Sequence, residues 1–192
     1  MAALKHEIVQ ERPFSSAEEE ALLNLLRTAD CLQRAFQRMS REWGVTSTQY
    51  NVLRILRGSH PQGLTCSAIG DRMITAEPDI TRLLARLKAM KLVRQHRDRQ
   101  DRRVVWTQIS DAGLDVLRQM DPTIQQEPRN LLGHLSEREL TELTRLLELA
   151  RKPCLDAQNG VSCDGQAGSG SDTCDRTPHP GQTQPAAEAK HT

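Results

Sequence analysis

The chain has 192 residues, 37% of them hydrophobic and 27% charged, enough for one modest core or for one shared with a partner. No run reaches the roughly 18 apolar residues of a membrane span, and Met1 to Glu7 lacks a secretory hydrophobic region, so a cytoplasmic protein with no membrane partner is expected. Five scattered cysteines without a C-x-x-C pair, six unrelated histidines and no Gly-rich phosphate loop argue against a disulfide framework, a metal, a cofactor and an enzyme.

Ser16 followed by Glu19 is a capping box, and after it Leu22, Leu25, Ala29, Leu32, Phe36, Met39 and Trp43 recur in steps of three and four. This predicts a long amphipathic helix ending at Gly44, with an apolar stripe narrow enough to meet another helix. Thr46 with Gln49 opens a second helix, whose Val52, Leu53 and Leu56 face inward until Gly58. Thr65 is expected to cap a short helix carrying Ala68, Ile69 and Met73. Thr75 is expected to cap the next, with Pro78 in its first turn, and two such helices joined by a tight turn form a helix-turn-helix candidate.

Along that second helix Ile80, Leu83, Leu84, Leu87 and Met90 make one apolar face, while Arg82, Ala85, Arg86 and Ala89 lie opposite. Small residues interleaved with arginines let a helix approach a polyanion closely, and arginine can read guanine edges or grip phosphates. The window Arg72 to Arg103 holds ten Lys and Arg against four Asp and Glu, although the whole chain carries only +1. Leu92 to Arg97 and Val104 to Ser110 are β-prone and flank a tip, Asp98 to Arg103, that includes Arg99, Asp101, Arg102 and Arg103. A hairpin so charged is either a solvated loop or a finger for a groove, and its place after the helix-turn-helix favours the finger.

Ser110 caps a further helix through Leu114, Leu117 and Met120, which Pro122 and Pro128 are expected to kink or break. Ser136 with Glu139 opens a last helix with Leu140, Leu143, Leu146, Leu147 and Ala150 inward, ending at Lys152 or Pro153. Cys154 to Thr192 is rich in Gly, Ser, Asp, Thr, Gln and Pro and is expected to be a disordered tail. The expected organisation is therefore an arm over 1–13, a folded domain over 14–153 and the tail over 154–192. Within the domain a DNA-binding head spans about 46–110, and dimerisation helices span about 16–43 and 111–153.

The order of these elements resembles the MarR family, the multiple antibiotic resistance regulators. The resemblance rests on Thr81-Arg82-Leu83-Leu84-Ala85-Arg86-Leu87, on Lys91-Leu92-Val93, on Asp101-Arg102-Arg103-Val104-Val105 and on Ser110-Asp111-Ala112-Gly113. It implies a mainly α fold with a small β-hairpin wing: a winged helix-turn-helix with N- and C-terminal dimerisation helices. It implies a homodimer on double-stranded DNA, acting as a repressor that a small aromatic or anionic effector releases. Carried over by position, Arg103 enters the minor groove with Asp101 orienting it, and Arg82 and Arg86 contact bases or backbone, with Thr81, Arg99 and Arg102 beside them. Glu77, Pro78 and Asp79 depart from the pattern at the start of the recognition helix. Asp79 either accepts a hydrogen bond from a cytosine or only favours the helix N-terminus.

Two other readings of the same scaffold remain. One is a thiol redox sensor built on Cys66, which follows the Thr65 cap in the first turn of a helix, where a thiol is acidified. The other is a winged-helix module that binds protein rather than DNA.

Overall fold

The computed structural model describes residues 4–160. Seven helices and three short strands follow one another as α1 (Leu4–Glu7), α2 (Ala17–Glu42), α3 (Ser47–Gly58), β1 (Leu64–Thr65), α4 (Cys66–Gly70), α5 (Ile80–Ala89), β2 (Val93–Arg97), β3 (Val105–Ile109), α6 (Asp111–Leu132) and α7 (Glu137–Gly160). The mainly helical class with a small β wing is what the sequence led one to expect. The expected tail over 154–192 overlaps α7 at its start, and 161–192 lies outside the described residues. Inside the expected arm, Leu4 of α1 is buried and Glu7 pairs with Arg27 of α2.

The caps read from sequence hold the helix starts. Ser16 Oγ accepts from Glu19 N, and Thr46 and Gln49 close a reciprocal box in which each side chain takes the other's backbone N–H. Ser136 and Glu139 do the same for α7. Helix α2 ends in a Schellman turn, with Val45 N bonded to Ser40 O and Gly44 N to Arg41 O, and Gly44 takes the left-handed φ of 71° that this turn requires. Helix α5 ends the same way, through Leu92 N to Leu87 O and Lys91 N to Lys88 O. There the left-handed position is Lys91, at φ 61°.

Leu53, Leu56, Ile69, Leu84, Leu87, Leu117 and Met120 are fully buried in one cluster that joins α3, α4, α5 and α6. Removing any of these leucines to alanine would cost about 2–5 kcal/mol, so this cluster sets the position of α5. The sheet runs β1-β3-β2, antiparallel throughout, with Val93 opposite Ile109 and Arg97 opposite Val105. Strand β1 pairs Leu64 with Thr107 and Thr65 with Trp106. Two residues are too few to show an alternation, so nothing in the sequence marked this strand.

Three expectations are corrected. Thr75 does not cap the recognition helix; Asp79 does, and Pro78 therefore precedes the helix instead of lying in its first turn. The connection from α4 thus spans 71–79 rather than a tight turn, and it is held by Asn51 Oδ1, a buried acceptor on α3 that takes the Ile74 N–H at 3.2 Å. Pro122 and Pro128 do not break α6, and Pro153 does not end α7. All three prolines are exposed, so the carbonyl that each deprives of a donor can turn toward water, and the turn before Pro122 is pinned by buried Met120 and by Asp121, which accepts from Arg57 Nη1 at 2.8 and 2.9 Å.

The wing and α6 meet at one joint. Ser110 N donates to Leu92 O at 3.0 Å, Ser110 Oγ donates to Lys91 O at 2.7 Å, and the same hydroxyl caps Gly113 N at 3.1 Å. Gly113 packs so closely that a Cβ there would run into the Leu92 carbonyl and meet Ile109 Cγ1. Gly113→Ala is expected to destabilise the fold by about 1–3 kcal/mol through this clash. Lys91→Gly is expected to stabilise it by about 0.5–1 kcal/mol by relieving the left-handed backbone. Urea midpoints at equal slope for the two variants check both signs.

Candidate nucleic-acid interface

Helix α5 is amphipathic in the sense the sequence requires: Leu83, Leu84 and Leu87 are buried, while Thr81, Arg82, Ala85, Arg86 and Ala89 are exposed. The two alanines keep the outward face low, so a surface can come close to the backbone between Arg82 and Arg86. Asp79 caps this helix, its Oδ1 accepting from Arg82 N at 2.9 Å. One of its two oxygens is thereby occupied by backbone, which favours the helix-terminus role over a base contact.

The wing tip is shaped by two aspartates acting on the main chain. Asp98 Oδ1 accepts from Gln100 N at 2.8 Å and Asp101 N at 3.1 Å, and Asp98 Oδ2 accepts from the indole Nε1 of Trp106 at 3.0 Å. The Asp101 and Gln100 N–H groups, with the indole third, hold the Asp98 carboxyl below the usual carboxylate range. A depressed carboxyl keeps these bonds at neutral pH and releases them only as pH falls through its lowered value. Asp101 Oδ1 accepts from Arg103 N at 2.9 Å, so it orients Arg103 through the backbone and not by pairing with the guanidinium. Arg97 Nη1 donates to Arg102 O at 3.1 Å and braces the tip from β2.

Ion pairs take up only some of the arginines. Among the described residues Arg27, Arg34, Arg57, Arg94, Arg118 and Arg145 have carboxylate partners. Arg82, Arg86, Arg99, Arg102 and Arg103 have none within ion-pair distance, and all five are exposed. These are the arginines that the sequence nominated. Unneutralised guanidinium groups on a helix face and a hairpin tip are suited to phosphates and groove edges.

A cavity of about 410 Å³ opens between the end of α2, the start of α3 and the start of α5, lined by Gln37, Arg41, Thr46, Glu77, Arg82 and Arg86 among others. Sequence reasoning named no pocket residue, because a chain with only 3% aromatic residues offers little to mark a ligand site. Cys66 is half-buried at the start of α4, its Sγ 4.0 Å from Thr81 Oγ1. Among the described residues no group of His, Cys, Asp and Glu is placed to hold a metal ion, and no helix is long and apolar enough to cross a membrane.

A helix-turn-helix whose second helix shows an arginine face, followed directly by an arginine-tipped hairpin, defines the winged helix-turn-helix class of nucleic-acid-binding fold. The family model described as MarR family matches residues 43–104, from the end of α2 through the wing tip. A MarR transcription factor from Planctomyces limnophilus is 41% identical, over 71% of this chain and 99% of that one, with a TM-score of 0.56. The HTH-type transcriptional regulator MhqR of Bacillus subtilis is 30% identical over 105 residues, 55% of this chain and 71% of that protein. The structure of Bordetella bronchiseptica BpsR, whose DNA binding is regulated by 6-hydroxynicotinic acid, shares the fold at 24% identity and a TM-score of 0.63, covering 72% of this chain and 97% of that one. The chain belongs to the MarR family.

Capping and base reading by Asp79 are separable by substitution. Asp79→Ala should cost about 1 kcal/mol of stability, and Asp79→Asn, which keeps the capping oxygen, only a few tenths. If capping is its whole role, neither variant changes which base pairs are preferred in a selection from random duplexes.

Proposed function

We propose that this protein is a homodimeric repressor in the cytoplasm that binds an inverted repeat in double-stranded DNA, with α5 in the major groove and the wing in the adjacent minor groove. The observation that carries the DNA reading is the convergence of five exposed arginines without carboxylate partners on one helix face and the hairpin tip that follows it, Arg82 and Arg86 of α5 and Arg99, Arg102 and Arg103 of the wing. Arg82 and Arg86 serve base edges and phosphates; Arg103, with Arg99 and Arg102, serves the minor groove and its flanks.

Dimerisation is supported by what α7 leaves open. None of its described side chains is buried, and it exposes Leu143, Leu146, Leu149 and Leu155. Helix α2 adds exposed Leu22, Leu25 and Leu26. Burying one leucine is worth about 1.5–3 kcal/mol, so a second copy that covers these two helices gains enough to stabilise both. A helix of 24 residues none of whose described side chains is buried has little else to hold it.

The effector reading rests on the cavity beside α5. Arg41, Arg82 and Arg86 outnumber Glu77 and Asp79 in its lining, so a small carboxylate is suited to it. An anion there engages Arg82 and Arg86 and competes with DNA for the same guanidinium groups.

Three outcomes follow. Wild-type binding should weaken steeply with salt, and replacing Arg82, Arg86 and Arg103 each by Ala should flatten the salt dependence and cost about 1–3 kcal/mol where the lost contact was to guanine. Leu146→Glu with Leu149→Glu should give a monomer by sedimentation and abolish binding to a two-half-site duplex. Titration with benzoate as a probe should release DNA from the wild type, and Arg41→Ala should blunt that release; equal release from both would remove the cavity from the effector reading.

A further inference from the structure

We propose that Asp98 and Trp106 form a latch that positions the wing arginines for DNA, making them positioning residues and not DNA contacts themselves. This rests on the DNA reading above and adds to it the pair of residues that sets the shape of the reading finger.

The geometry is specific. Asp98 closes the end of β2, with its own N–H donating to Val104 O at 2.9 Å, and Val104 N in turn donates to Asp101 O at 3.0 Å. Its carboxylate then serves both sides of the hairpin at once. One oxygen collects the two N–H groups that turn the tip, and the other takes the Trp106 indole N–H from β3, eight residues on. Trp106 is itself anchored, since β3 is the central strand and Trp106 pairs with His96 on one side and Thr65 on the other. The latch thus ties the tip of the wing to the one strand that both neighbours hold. Arg99, Arg102 and Arg103 all lie within the loop that it closes, and Arg99 is the residue next to Asp98.

The sign of the effect separates this role from a simple charge effect. Asp98 is an anion beside a surface that meets phosphates, so on Coulomb grounds alone Asp98→Ala should tighten DNA binding. A latch predicts the reverse. Trp106→Phe keeps the ring, changes no charge and removes only the indole donor. Asp98→Asn has one carbonyl oxygen and must turn its NH₂ toward either the indole or the backbone donors, a clash that disappears once the indole N–H is gone.

Affinity is measured by anisotropy on a duplex that the wild type has selected from a random library, with thermal midpoints and the indole N–H resonances followed in parallel. The expected result is a loss of about three- to tenfold for Trp106→Phe and for Asp98→Ala, at nearly unchanged midpoints. The two losses combine less than additively, and Asp98→Asn costs less in the Trp106→Phe background than in the wild type. In Asp98→Ala the Trp106 indole resonance shifts while that of Trp43 stays. Wild-type affinity in Trp106→Phe, tighter binding by Asp98→Ala, or an unmoved Trp106 resonance would each overturn the latch. A wild type that binds no duplex at low salt overturns the DNA reading instead, and the resonance shift still reports whether the latch itself exists.

Discussion

The carbonyl groups of Lys91 and Leu92 are where three parts of the molecule are made to share one position. Leu92 O receives the Ser110 N–H, Lys91 O receives the Ser110 hydroxyl, and the same hydroxyl caps α6 at Gly113. The end of the reading helix, the base of the wing and the start of the long α6 therefore meet within a few residues. Because Gly113 leaves no room for a side chain against the Leu92 carbonyl, the joint cannot open without losing these bonds and the packing beside them. The left-handed Lys91 is the conformational cost of turning the chain there.

Two further ties extend that joint. Arg57 and Asp121 link α3 in the head to α6 by an ion pair in which one guanidinium nitrogen, Nη1, meets both carboxylate oxygens at a half-buried site, so α6 is fixed to the head at its N-cap and again three turns on. Asn51 holds the connection into α5 from below. The head is thereby rigid where it must present α5, and the exposed leucines are left to α2 and α7. In the proposed dimer a second copy would cover these helices and so set the spacing of the two reading helices.

Much of this was legible before any coordinates. Ser16, Thr46 and Ser136 placed three helix starts, because a capping residue with Glu or Gln three residues on leaves a clear mark; the box is reciprocal at Thr46 and Ser136, while Glu19 turns to Ser15 instead of Ser16. The arginine face of α5 followed from its period. What the sequence hid were effects that depend on distance in space. Thr75 and Asp79 are both good caps, and the choice of Asp79 goes with an Asn51 bond from 23 residues away that takes the Ile74 N–H in an irregular segment before the helix. The prolines misled because a proline's effect depends on which side of the helix it faces. Asp98 looked like one more charge on a solvated tip until Trp106 was found across the hairpin from it.

The most direct test of the proposed reading is a hydroxyl-radical footprint of the wild-type protein on a duplex that it has selected. Two heads on a two-fold axis predict protections in symmetric pairs whose half-site centres lie about 10 base pairs apart, with minor-groove protection just outside each half-site from the wing. A single unpaired protected patch, or symmetric half-sites without flanking minor-groove protection, would contradict it.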